Sequence, residues 1–174
     1  MKIVIIGYSG AGKSTLAETL SRHYQLALLH LDQIRFAPNW EMRSDTDFSN
    51  DLNRFLDNHD SWVIDGLYSR FSLERRLEEA DQIIFLNFDR WTALYRILKR
   101  YWTYRGKVRS SAPAGCQEKI DWPFLKFVMI DSRKAVRKKL YADISSTYLE
   151  KMIILRNQQD IDAFLQTKTL SSND

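Results

Sequence analysis

The residues best suited to chemistry stand near the start of the chain. Gly7-Tyr8-Ser9-Gly10-Ala11-Gly12-Lys13-Ser14 sets glycine, lysine and a hydroxyl at the spacing G-x-x-x-x-G-K-[ST]. Glycines at those places let the backbone curl until successive N–H groups point inward at one anion. A helix opening near Lys13 adds the positive end of its dipole. Lys13 brings a mobile charge for β- and γ-phosphates, and the Ser14 hydroxyl a ligand for Mg²⁺. The predicted chemistry is the binding of a nucleoside triphosphate and its metal, with Ser9, Gly10, Ala11, Gly12, Lys13, Ser14 and Thr15 as the phosphate cradle.

Two carboxylates follow apolar runs. Trp62-Val63-Ile64-Asp65-Gly66 reads as a buried strand that ends in an acid. A P-loop protein holds Mg²⁺ from that position, usually through water, so Ser14 and Asp65 are the metal candidates. The other reading of Asp65 is a cap of the next helix or turn. In His30-Leu31-Asp32, Asp32 is placed to take a proton from a hydroxyl, or to serve as a turn residue. His30 reads as a packed or hydrogen-bonded histidine.

Cations cluster later. Between Arg90 and Gln117 there are seven Lys or Arg residues and no Asp or Glu. Arg96 and Arg100 share one helical face, Arg105, Lys107 and Arg109 continue towards a glycine-containing loop, and Arg133 and Arg137 form a second pair. Arginines closing from a lid neutralise charge on a moving phosphoryl group and exclude water. Two other readings stay open: a solvated basic face, or a nucleic-acid surface with Trp91, Tyr95, Tyr101, Trp102 and Tyr104 stacking on bases. Periodicity puts Trp91, Tyr95 and Trp102 near the stripe of Leu94 and Leu98, which predicts core. Cys116 reads as a bystander.

The elements that must hold these groups alternate. Apolar runs predict strands at 2–6, 27–29, 62–64, 82–86 and 152–155. Helices are predicted over 13–24, from a Ser44 or Asp45 cap to about 58, and over 70–79, 90–104, 122–144 and 157–166. Gly106 to Cys116 reads as an exposed loop, and the last residues, 171–174, as fraying. That order predicts an α/β domain with a parallel sheet and ligands beyond the strands' carboxyl ends. The 174 residues, 44% hydrophobic and 28% charged, exclude a disordered or fibrous chain and suit one domain over 1–174. No run approaches the ~18 apolar residues of a membrane helix. The opening apolar run stops at Gly7 and suits a first strand better than a signal peptide. A single cysteine excludes an internal disulfide or multi-cysteine zinc site and fits a cytoplasmic location. The net charge of +4 suits a polyanionic ligand but is small for a dedicated DNA binder.

Joined, these segments resemble adenylate-kinase-like P-loop kinases, above all the bacterial DNA topology modulation (FlaR-like) protein family. The likeness runs from Lys2 to about Leu165. It is carried by Gly7 to Thr15, His30-Leu31-Asp32 with Pro38-Asn39-Trp40, Asp65-Gly66-Leu67-Tyr68-Ser69-Arg70, Arg90-Trp91-Thr92 and Tyr104-Arg105-Gly106-Lys107. It implies a P-loop NTPase fold: a five-stranded parallel sheet flanked by helices, with a short basic lid over about 104–121. It further implies ATP and Mg²⁺, and transfer of the γ-phosphoryl group to a small nucleotide, nucleoside or hydroxylated metabolite. Arg96 and Arg100 resemble the arginines that begin the family's lid, Arg137 the one that follows it, and Arg156 and Asn157 its adenine-contacting loop. Asp32, Arg35, Asp65 and Arg70 are then the acceptor residues. Arg70 stands one place later than in adenylate kinases and lacks the preceding proline, which counts against AMP. The family name raises another function, an ATP-binding regulator of nucleic acid, although the chain has no helix-turn-helix signature.

Overall fold

Four consecutive branched residues, Ile3 to Ile6, need cover on both faces of a strand. The structure, a computed structural model, describes residues 1–106 and 111–170. Its strands are β1 (Lys2–Gly7), β2 (Ala27–His30), a hairpin of β3 (Phe36–Ala37) and β4 (Glu41–Met42), β5 (Trp62–Asp65), β6 (Gln82–Leu86) and β7 (Met152–Leu155). Its helices are α1 (Lys13–Tyr24), α2 (Leu31–Arg35), α3 (Asp45–Asn58), α4 (Leu73–Glu79), α5 (Arg90–Tyr104), α6 (Trp122–Met129), α7 (Ala135–Thr147) and α8 (Gln158–Leu170). Five strands form one parallel sheet in the order β2-β5-β1-β6-β7, with β1 at its centre. Ile3, Val4, Ile5 and Ile6 are wholly buried there.

The period of two along β1 divides the core. Val4 and Ile6 pack in one cluster with Phe48, Leu52 and Leu56 of α3, Leu77 of α4 and Tyr141 and Ile144 of α7. Ile3 and Ile5 pack in the other with Leu16 and Leu20 of α1 and Ile161 of α8. At roughly 1.5–3 kcal/mol per buried branched or aromatic side chain, both clusters favour this one register. The register sets Asp65 beside Ile5 on one side and His30 on the other, so the carboxyl ends of β1, β2 and β5 lie level.

The expected α/β sheet of five parallel strands is present, and three expectations about helices change. The helix predicted over 70–79 begins at Leu73 because residues 66–72 wrap around Arg76. That guanidinium, wholly buried, donates to the carbonyls of Gly66 (3.0 Å), Leu67 (2.7 Å), Tyr68 (3.3 Å) and Phe71 (3.1 Å). Burial lowers its pKa to about 10, so it stays charged at neutral pH. The helix predicted over 122–144 breaks at Ile130 (φ −123°, ψ −64°), where the Ser132 hydroxyl bonds back to the Val128 carbonyl at 3.0 Å.

The third change concerns α5. Its buried residues are Ala93 and Ile97, whereas Trp91, Tyr95, Leu98 and Trp102 face outward. The helix carries two apolar stripes, and the one with small residues is pressed against the first loop. The loop expected to be exposed is also partly packed away: Ser111, Ala112 and Cys116 are buried. Cys116 Sγ donates to the Ala37 carbonyl and accepts from the Trp40 N–H, both at 3.3 Å, tying this segment to the β3–β4 hairpin. Lys107 and Arg109 of the expected lid, and the chain end 171–174, lie outside the described residues. Among the described residues no helix is long and apolar enough to cross a membrane.

Arg76 and its neighbour Arg75 offer a direct comparison. Arg76→Met leaves four inward-facing carbonyls bare and is expected to cost about 3 kcal/mol of stability. Arg75, half-exposed with Asp57 and Glu79, is expected to cost under about 1 kcal/mol as Arg75→Met. Urea unfolding of both variants checks the difference.

Candidate functional site

The glycine-rich loop leaves β1 and turns into α1 with its backbone bent inward. Gly12, the residue before α1, has φ 97°, and no side chain caps the helix. The first-turn N–H groups therefore keep their donors for an anion. At Gly10 (φ 80°) a Cβ would stand 2.6 Å from the Ala93 carbonyl oxygen, so α5 can lie on the loop only over glycine. Lys13 Nζ donates to the Tyr8 carbonyl at 3.1 Å and hangs over the same concavity.

Behind the loop lies a buried carboxylate. Asp65 Oδ2 accepts from Ser14 Oγ at 2.7 Å and from His30 Nδ1 at 3.0 Å, which makes His30 a donor there. Burial raises the Asp65 pKa. The His30 hydrogen bond, the Lys13 charge and the Ser14 hydroxyl outweigh it and hold the group below the ordinary carboxylate range. Asp65 Oδ1 is buried with no hydrogen-bond partner among the described residues. The described residues contain no cluster of three or more His, Cys, Asp or Glu able to hold a metal. A hydroxyl and an unpartnered carboxylate oxygen beside a phosphate cradle are instead the donors of a hard cation that shares its shell with phosphate oxygens. The residues present thus fit Mg²⁺, which Ser14 and Asp65 would hold.

Loop and carboxylate open on one cleft of about 1160 Å³. Its far wall is built by α2, the hairpin and the turn after β5. Asp32 accepts from the Tyr68 hydroxyl at 2.6 Å. Burial, and then the Asp32 charge, push the Tyr68 pKa far up, so it remains a phenol and a donor. Arg35, buried beneath the rings of Phe48 and Phe71, donates to Asp45 Oδ1 at 2.8 Å. Arg70, exposed, lies 3.8 Å from Asp45 Oδ2. Phe36 and Trp40 add an aromatic edge 5.5 Å apart.

The remaining arginines divide. Arg96 donates to the Ala11 carbonyl at 2.9 Å and stacks 4.5 Å from the Phe88 ring, and so props the phosphate loop from above. Arg100 lines the cleft and donates to buried Glu118 at 3.2 Å. Arg137 also lines it, 5.6 Å from the Phe127 ring. Arg133 turns away to the Phe88 carbonyl (2.7 Å) and lies 4.0 Å from the Tyr8 ring, where it braces the loop. Arg156 and Asn157, expected at the base, are exposed and cap α8: Asn157 Oδ1 accepts from the Asp160 N–H, and Asp160 Oδ2 from the Arg156 N–H. Gln158, Ile161 and Leu165 line that end of the cleft instead. Neither Tyr68 nor Gln158 had been assigned a role from sequence. Tyr68 carried one signal, its place three residues after Asp65, while Gln158 carried none.

A parallel sheet whose central strand runs into this loop and helix defines a P-loop NTPase fold. Residues 3–112, more than half of the chain, match the AAA domain family model, and the chain belongs to that family. No curated protein matches it. Among solved structures, shikimate kinase from Bacteroides thetaiotaomicron is similar at a TM-score of 0.53 and 16% identity, over 100% of this chain and 99% of that one. A sugar kinase from Janibacter sp. HTCC2649 is similar at a TM-score of 0.50 and 17% identity, over 95% of this chain and 92% of that one. At such identities the likeness is one of fold.

The lowered pKa of Asp65 makes its contribution pH-dependent. An acid depressed on folding stabilises above its unfolded value of 3.8, and that contribution disappears as pH falls through the lower folded value. The stability gap between the wild type and Asp65→Asn is therefore expected to hold from neutral pH down to that unfolded value and to close below it. Urea unfolding at a series of pH values measures the gap.

Proposed function

We propose that the protein is an ATP- and Mg²⁺-dependent kinase that phosphorylates a hydroxyl of a small anionic acceptor. The observation that carries this reading is one cleft with two chemically distinct walls. One has an uncapped helix, a lysine and a metal-type carboxylate; the other has Asp32, Arg35 and Arg70. In this reading the triphosphate lies along residues 9–15, with Lys13 and Arg137 near its terminal phosphates and Arg96 and Gln158 towards the base. Mg²⁺, held by Ser14 and Asp65, would supply charge neutralisation on the phosphate oxygens.

The acceptor's anionic group displaces Asp45 from Arg35 and Arg70, whose planar forks suit a carboxylate or phosphate. Its hydroxyl faces Asp32. The hydroxyl oxygen forms the new bond to the γ-phosphorus, the β–γ bridging P–O bond breaks, ADP leaves, and the hydroxyl proton passes to the Asp32 carboxylate. Tyr68 fixes one oxygen of that carboxylate. An acceptor that presents a phosphate to the γ-phosphorus, as in a nucleoside-monophosphate kinase, has no proton for Asp32 to take. Shikimate and sugars, for which the two solved neighbours are named, belong to the hydroxylated class favoured here. In this reading Ser111, Ala112 and Pro113, with Arg100 bonded to Glu118, keep water from that side of the cleft.

ADP release from Mg·ATP, measured with nucleoside monophosphates, nucleosides, sugar acids and phosphorylated sugars, tests the reading. One hydroxylated anion is expected to raise turnover well above the water background. Lys13→Ala should abolish that turnover, and Asp32→Asn should lower kcat by about a hundredfold or more while leaving ATP affinity unchanged. Stimulation by nucleoside monophosphates alone, undiminished in Asp32→Asn, would reject the hydroxyl acceptor. ATP binding without stimulation by any acceptor would reject the kinase.

A further inference from the structure

Helix α5 carries a feature that its cleft-facing arginines leave unexplained. Trp91, Tyr95, Leu98 and Trp102 are 68%, 65%, 40% and 71% exposed. At 3.6 residues per turn they fall within a sector of about 60°, the narrow seam of a coiled coil rather than a scatter of surface rings. Tyr95, Leu98 and Trp102 edge a shallow groove completed by Lys99 and Thr103. A continuous apolar patch of this kind on a folded chain marks an interaction site.

We propose that this stripe is the interface of a homodimer in which α5 packs antiparallel on α5 of a second copy. The spacing 91, 95, 98, 102 is four, three, four, and it reads the same in both directions. A two-fold axis at the level of Arg96 and Ile97 sets Trp91 of each copy against Trp102 of the other, and Tyr95 against Leu98. Each contact then occurs twice, as an isologous interface requires. The flanking charges agree with that register. On the flank that carries Lys99, the residue across from it in the other copy is Thr92, so the two ammonium groups stay apart.

The area suffices. Large aromatic side chains each offer roughly 150–250 Å², so the three exposed rings alone present roughly 400 Å² per copy. With Leu98 and the flanking stems, a pair reaches the roughly 1,000 Å² total that a biological interface must clear. A nucleic acid is the other occupant that exposed aromatics among cations suggest, but of the helix's cations only Lys99 borders the groove. Arg96 is turned to the Ala11 carbonyl and Arg100 to Glu118, on the opposite side of the helix. Leu98 also interrupts the rings at the centre of the stripe. The dimer goes beyond the kinase reading and stands independently of it. It would nonetheless hold from outside the helix whose inner face, Ala93, Ile97 and Arg96, rests on the phosphate loop.

Sedimentation velocity over a concentration series from sub-micromolar to hundreds of micromolar tests this. The wild type is expected to move from one to two chain masses. Trp91→Lys and Trp102→Glu, each checked for fold by circular dichroism, should remain at one mass where the wild type is paired, their dissociation constants raised about tenfold or more. Tyr95→Glu replaces either variant if it fails to fold. An equimolar mixture of the two charge variants should dimerise again, because the new ammonium of one faces the new carboxylate of the other. A wild type at one mass throughout overturns the proposal. So do variants that pair as the wild type does, or a mixture that stays monomeric. A monomeric wild type that binds single-stranded oligothymidylate in a salt-sensitive way, lost in Trp102→Glu, would give the stripe to nucleic acid instead.

Discussion

A carboxylate taken out of water needs donors around it, and Asp65 is where that need organises the cleft. Its partners come from two separated stretches of chain: Lys13 and Ser14 from the first turn of α1, and His30 from β2. They meet because one register is imposed on the sheet. Val4 and Ile6 must face α3 and α7 while Ile3 and Ile5 face α1 and α8, and a slip by one residue would exchange every one of them. Core packing thus sets the level at which β1, β2 and β5 end. That level in turn lets a buried charge be satisfied and a phosphate loop start beside it.

Supporting contacts then hold the loop from several sides. Gly10 lies under Ala93 and Ile97, the Ala11 carbonyl takes a hydrogen bond from Arg96, and Tyr8 lies beneath Arg133 and against Tyr141. Each support comes from a helix that also lines or roofs the cleft. Movement of α5 or α7 therefore cannot be separated from the shape of the phosphate cradle. The far wall is fixed differently, by one buried arginine. Arg76 gathers the carbonyls of the turn that carries Tyr68 and Arg70, and that turn presents Tyr68 to Asp32.

How much of this could be read in the chain depends on whether a signal was local. The phosphate loop was legible because glycine, lysine and serine act there through backbone geometry and spacing, which are written in consecutive residues. The five strands were legible for the same reason, as short apolar runs. Asp65 and Asp32 were visible as acids ending such runs. Their partners His30 and Tyr68 were not assignable, since the pairing comes from register and from a turn wrapped on Arg76. The break at Ile130 was hidden in a continuous helical pattern, because a serine that bonds back to its own helix looks no different in sequence from one that faces solvent. Arg156 and Asn157 kept their place after the last strand, and the capping of α8 by the Asn157 side chain was a local use not legible in the sequence.

Helix α5 exposes the limit of periodicity most clearly. It has an apolar stripe at Trp91, Tyr95, Leu98 and Trp102 and a second at Ala93 and Ile97, and by area the first is much the larger. Hydrophobicity alone therefore turns the helix the wrong way. What decides its orientation is close approach. The phosphate loop at Gly10 tolerates no more than a backbone carbonyl and a slim aliphatic chain, and only the Ala93–Ile97 face offers both. The bulky stripe is left outside because the site demands the small one inside. A chain that keeps three large rings in water for the sake of its cleft has gained a surface that something else is able to bury.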